Sequence, residues 1–292
     1  MQILDRRTLL ALGAASATLP FAFAARAGVG GAEVFTADEA GALVDSTVIL
    51  GESKALLVDV QINMANAGRL VALIRASGRD LETVFITHAH PDHYLGLEAI
   101  VDAFPAVRVL TPAPIRPLIE AAAQGTLDYL TGTAPAGTFA SRVILPEALD
   151  ADHLLLEGER IEILPPMHGD TALVSAVHIP ALDTLIAADF AYADTHAWVA
   201  ENLTPEALDQ WRASLTLLEE IGAATVIPGH RQTGSANDAS VFAKTRAYLD
   251  QWQAARASAT SAEELRAAMM VGNEGLGLTF ALDMAVGAAF PG

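Results

Sequence analysis

The chain has no cysteine among its 292 residues. That excludes disulfides, thiolate metal ligands and cysteine nucleophiles together, so any metal must be held by imidazole or carboxylate. Positive charge is scarce: 17 Lys and Arg face 35 Asp and Glu, for a net charge of −18 with histidine neutral. The cations are scattered and form no basic run. Such a surface repels phosphates and anionic lipid, which argues against nucleic acid or a membrane surface as partner. Neither a P-loop nor a GxGxxG run is present, so both nucleotide-binding fingerprints are missing. Charged residues make up only 18% of the chain against 52% hydrophobic, which excludes intrinsic disorder. The apolar run at residues 9–25 is short for a membrane span and is interrupted by Pro20.

Residues 1–27 read as an export signal rather than as part of the fold. Arg6-Arg7 precedes the weakly hydrophobic run, and Ala25-Arg26-Ala27 offers small residues where a signal peptidase reads. The segment resembles a twin-arginine signal, with Asp5 where Ser or Thr is more usual. The expectation is a periplasmic protein, exported folded and freed from the membrane by cleavage.

The remainder, residues 32–292, reads as one α/β domain with no internal period or linker. Apolar runs at 44–50 and 55–60 flank Gly51-Glu52-Ser53-Lys54, a hairpin pattern. Ser53 therefore sits in a hairpin turn, not in the strand-to-helix turn of a nucleophile elbow. Helical spacing at 65–77 ends at Gly78, and residues 81–87 form a buried strand running into His88. A helix at 95–104 and a strand at 107–110 follow. Residues 111–150, rich in Pro, Gly, Ala and Thr with a helical piece near 115–123, read as an insertion over one end of the sheet. Strands are expected at 153–156, 160–164, 173–179, 184–188 and 225–227, and helices at 205–221, 239–257 and 262–270 before a Gly-rich tail.

Chemistry concentrates in Thr87-His88-Ala89-His90-Pro91-Asp92-His93, between a strand and a helix. Three imidazoles and a carboxylate within six residues are costly unless something ligates them, and their donor atoms suit Zn²⁺ and related divalent ions. Along extended chain, alternate side chains point the same way, so His88 and His90 address one ion. Asp92 and His93 address a second. Further ligands must come from distant loops. His168, Asp189 and His230 each stand at the downstream end of a strand, where sites in α/β sheets gather.

The succession THAHPDH, HGDT, AAD and IPGH resembles the metallo-β-lactamase superfamily over roughly residues 40–235. The resemblance implies an αββα sandwich and a pair of zinc ions. It places His88, His90 and His168 on the first ion and Asp92, His93 and His230 on the second, with Asp189 bridging. It also implies that Asp59 accepts hydrogen bonds from the ligand loop. In the lactonase-like branch a tyrosine at the place of Tyr192 faces the substrate, where its hydroxyl donates to the oxyanion. The implied reaction is hydrolysis of a small-molecule carbonyl, an ester or lactone, by a hydroxide shared between the metals, with Asp92 moving its proton. The bridging carboxylate and the lack of cysteine rank β-lactam hydrolysis second. An iron-dependent oxidoreductase of the same fold ranks third. His196 and Trp198 follow Asp189 in a segment that either lines the pocket or simply packs. His153 and His178 read as structural.

Overall fold

A computed structural model of the chain describes residues 28–291. The expected export signal at 1–27 lies outside the described residues. The first sheet contains β1 (Gly31–Thr36), β2 (Asp45–Leu50), β3 (Lys54–Val58), β4 (Asp80–Phe85), β5 (Arg108–Pro112) and β6 (Glu147–Leu149), adjacent in chain order. The pairs β1–β2 and β2–β3 are antiparallel, and β3 through β6 run parallel. The second sheet contains β7 (His153–Leu156), β8 (Glu159–Ile163), β9 (Val177–Ile179), β10 (Thr184–Ala193) and β11 (Thr225–Arg231), ordered β11-β10-β9-β8-β7. Only β10–β11 is parallel in it.

Side-chain alternation assigns each strand two duties. On β3, Leu56 and Val58 face the second sheet, where they meet Ile161, Ile163, Val177 and Ile186. Ala55 and Leu57 face the other way, toward α1 (Met64–Ala76) and α2 (Leu97–Ala103). The outer face of the second sheet, including Leu185, Phe190 and Val226, packs on α4 (Pro205–Glu219) and α5 (Ser240–Ser258). Trp211 and Trp252, both fully buried, fill that layer. The result is helix, sheet, sheet, helix, as the αββα expectation has it.

Helix boundaries follow local chemistry. Asn63 caps α1 by accepting from the Asn66 N–H at 2.8 Å, and Gly78 stops it with φ +70°. Thr204 caps α4, with Pro205 as the first helical residue.

The segment 111–150 departs from the expectation of an insertion. It is a parallel crossover: α3 (Arg116–Thr133) connects β5 to the edge strand β6. Ile119, Ala123 and Leu127 recur every four residues and bury a stripe against the first sheet. Helix α6 (Ala262–Met270) lies where the sequence places it, but the Gly-rich tail after it contains a further helix, α7 (Thr279–Ala289), which buries Ala281, Leu282 and Ala285. No helix among the described residues is long and apolar enough to cross a membrane.

Candidate metal centre

Strand ends build the site. β3 runs into Asp59, a buried residue with φ +55°, a backbone region that L-residues seldom adopt. Its carboxylate accepts from the Thr87 N–H at 2.8 Å, the Thr87 hydroxyl at 2.7 Å and His93 Nδ1 at 2.9 Å. These bonds tie the loop that leaves β4 to the end of β3. A single 3-10 turn, Pro91–His93, then reverses the chain.

Two groups of ligand atoms result. Donor atoms of His88, His90, Asp170 and Asp189 lie within 4.8 Å of one another, as do those of Asp92, His93 and His230. Asp189 touches both groups. Its Oδ2 is 3.0 Å from His230 Nε2 and 3.6 Å from His88 Nε2, and its Oδ1 is 3.2 Å from His93 Nε2. Asp92 Oδ2 stands 3.6 Å from His230 Nε2 and 3.9 Å from His93 Nε2.

Each imidazole has one nitrogen engaged and the other facing the centre. His88 Nδ1 meets the Thr87 hydroxyl at 3.0 Å, and His230 Nδ1 donates to the Ala42 carbonyl at 2.7 Å. His93 Nδ1 donates to Asp59, which explains why Asp59, although close to His88 and His93, orients ligands rather than adding one. His90 is turned the other way: Nε2 bonds Glu201 at 2.9 Å, and Nδ1 faces Asp170 at 2.9 Å. Such outer partners fix the tautomer and ring plane of metal-binding histidines.

The site fits a divalent metal pair on its own geometry. His88 Nε2, His93 Nε2, Asp170 Oδ1 and Asp189 Oδ1 are buried and have no hydrogen-bond partner. Buried polar atoms are costly to leave unpaired, and bound cations would satisfy those left unpaired in the two clusters. Burial holds His88 well below the usual imidazole range, in the neutral form a ligand needs. Burial also pushes the Asp170 carboxyl up to about 7, against the pull of His90.

Asp189 reaches the centre because β10 is irregular there. Its register against β11 shifts on both sides of Ala188, which has φ +47°. The carboxylate fills the space beside Gly229: a Cβ on that glycine would overlap Asp189 Oδ1 and stand 2.8 Å from the Ala188 carbonyl carbon.

Above the ligands is a cavity of about 280 Å³. Ala42, Ile62, Pro91, Trp198, Leu278 and Phe280 form its apolar walls, and His90, Asp92, Asp170, Asp189, Glu201 and His230 its polar floor.

A family model described as the metallo-beta-lactamase superfamily matches residues 41–230. The chain belongs to this superfamily. Solved structures of similar fold include a metallo-beta-lactamase from Pontibacter korlensis, at 20% identity over 75% of this chain and 93% of that one, with a TM-score of 0.55. The DIM-1 metallo-beta-lactamase aligns at 21% identity over 76% and 98% of the two chains, TM-score 0.54. A metallo-beta-lactamase family protein from Thermus thermophilus aligns at 22% identity over 82% and 86%, TM-score 0.57. A search of curated proteins finds no match.

Within the superfamily frame, His88, His90, Asp92, His93, Asp189 and His230 converge as expected. His168 does not. Its Nε2 bonds Asn202 Oδ1 at 2.6 Å, and it belongs to neither ligand group. Asp170, two residues on and fully buried, takes the inward place. The cause is a tight loop. Met167 and Val174 exchange backbone hydrogen bonds of 2.8 Å, and Asn202 Nδ2 grips the Asp170 carbonyl at 2.6 Å. The HGDT run contains both candidate donors, and spacing alone does not tell which of them turns inward.

Tyr192 is the second departure. It is buried beneath the ligands, stacked on His230 at 5.1 Å, and is absent from the cavity lining. Its hydroxyl lies 2.9 Å from Asp189 Oδ2 and 3.1 Å from Asp170 Oδ2. It positions those carboxylates and does not face the cavity. Glu201 and Asn202 went unread in the sequence, since no motif marks them. Glu201 also accepts from the Thr171 hydroxyl at 2.7 Å. Burial opposes its ionisation, but hydrogen bonds led by that of His90 bring its carboxyl down to about 2. Trp198 lines the cavity, 5.9 Å from the His90 ring. His196 packs away from it against the Tyr248 hydroxyl. His153 and His178 pair with Asp152 and Glu162, as structural residues do.

Proposed function

We propose that the protein is an exported, dinuclear zinc hydrolase acting on the carbonyl of a small ester or lactone. The observation that carries this reading is Asp189, one carboxylate in contact with two ligand groups that open into one apolar cavity. His88, His90, Asp170 and Asp189 would hold one ion, and Asp92, His93, His230 and Asp189 the other. Bound there, divalent cations supply Lewis acidity and make water nucleophilic near neutral pH.

The chain's own groups do the rest. Asp92 is partly exposed at the cavity floor, so its carboxylate can take a proton from the attacking water and deliver it to the leaving alkoxide. In that exchange the water oxygen forms the new bond to the acyl carbon, the acyl–oxygen bond breaks, and an acid and an alcohol result. Ile62, Trp198 and Phe280 exclude bulk water from the reacting carbonyl. Asp59, Glu201 and the Ala42 carbonyl hold three imidazoles in orientation. Export rests on Arg6-Arg7 and the apolar segment after it.

Protein purified with zinc should contain two ions per chain and turn over chromogenic esters or lactones. Asp92→Ala should lower turnover about 10²- to 10⁴-fold, the usual worth of a positioned proton carrier, with an unchanged circular dichroism spectrum. If Asp92→Ala leaves turnover of every ester, lactone, thioester and β-lactam in a panel intact, this mechanism is wrong.

A further inference from the structure

We infer that the cavity selects uncharged, apolar acyl substrates and rejects anionic ones. For turnover the inference rests on the hydrolase reading above; for binding it rests only on the metal pair of that reading.

The first argument is the absence of a cationic side chain from the cavity lining. No Lys or Arg among the described residues lines it. Fourteen cationic side chains lie among the described residues, and eleven of them are in ion pairs. The three others are occupied elsewhere: Arg75 and Arg256 lie over Phe104 and Phe290, and Arg79 bonds the carbonyls of Gly51 and Ser77. Arg231 is the instructive case. It follows the ligand His230 directly, yet its guanidinium is turned to the buried Asp45 carboxylate at 2.9 Å.

The second argument is the sign of the floor. Asp92, Asp170, Asp189 and Glu201 all face the cavity. Two divalent cations cancel four negative charges at most. No surplus positive charge then remains to receive a substrate carboxylate, and the partly exposed Asp92 and Glu201 would stand beside it. An unpaired anion in apolar walls is strongly disfavoured.

The third argument is that the apolar lining continues outward. Phe280 at the rim is 47% exposed, and Met284, one turn further along α7, is 56% exposed. Residues four apart share a helix face. The pair carries the exposed apolar face of α7 onward from the cavity rim. A carboxylate-bearing β-lactam or a dicarboxylate monoester meets the same wall with the wrong charge.

Matched pairs test this on the zinc-loaded protein. The p-nitrophenyl ester of pentanoic acid should show a kcat/KM at least tenfold above the mono-p-nitrophenyl ester of glutaric acid, which has the same chain length and a terminal carboxylate. By calorimetry, octanamide should bind at least tenfold more tightly than octanoate. Phe280→Arg, at an exposed helix position, should shrink both ratios at least threefold. Equal or tighter binding of octanoate, or no binding of octanamide, overturns the inference even if esters are hydrolysed. Selective binding of octanamide with no ester turnover upholds the inference and overturns the hydrolase reading instead.

Discussion

Two loops deliver ligands to the same centre, and they do so by different rules. Residues 87–93 place four donors in contact order: His88 and His90 to one group, Asp92 and His93 to the other. Behind this loop stands Asp59, fully engaged with Thr87 and His93. Residues 167–174 bring in a single donor, Asp170, and spend their histidine on Asn202. Support there comes from 30 residues away, through Glu201 and Asn202. In the first loop the residue types declare the geometry. In the second, backbone anchoring decides which of two eligible side chains turns inward. A donor-rich motif therefore identifies ligands only where the turn that presents them is also specified.

The sharpest way to break this contrast is to exchange the fates of the two HGDT donors. Asp170→Ala should reduce bound metal from two ions to about one per chain and lower turnover at least about 10²-fold, while the metal-free protein stays folded, because a buried carboxyl pushed up to about 7 is removed. His168→Ala should retain both ions. Metal analysis of the two purified variants decides; identical behaviour would abolish the distinction between the loops. A smaller effect is expected at the outer supports. Glu201→Gln should weaken the first site about 10- to 100-fold in metal affinity and leave the second untouched, whereas Asp59→Asn should weaken both by about that factor, because Asp59 holds His93 directly and His88 through the Thr87 hydroxyl. Competition with a chromogenic chelator resolves the two affinities. The smallest effect belongs to His168→Ala itself: loss of the Asn202 hydrogen bond should cost about 1 kcal/mol of stability, read from urea unfolding.

The sequence is legible where local rules and burial agree. The hairpin β2–β3 is readable because Gly51 through Lys54 interrupts two apolar runs, and α1 because its helical spacing ends at Gly78. Six of the seven proposed metal ligands are readable because they close apolar strands or crowd into one motif. β6 escapes detection, being three residues of mixed polarity at a sheet edge. The helix α7 escapes because Gly275 and Gly277 precede it and suggest an unstructured tail. The orientation of Tyr192 is also invisible from spacing. Three residues past Asp189, the side chain is drawn under the ligands by stacking on His230 and by the Asp189 carboxylate. Long-range packing, not periodicity, sets that direction.

Gly229 contributes no donor atom, yet the candidate metal centre needs it as much as it needs the acid beside it. The missing side chain is a vacancy shaped like a carboxylate. A methyl group placed there would evict Asp189 and part the two clusters of side chains that its carboxylate joins. Kinship to this centre is thus to be sought in a void as well as in a set of ligands: a chain with every histidine in place but an alanine before the last one has lost the room in which its bridge must stand.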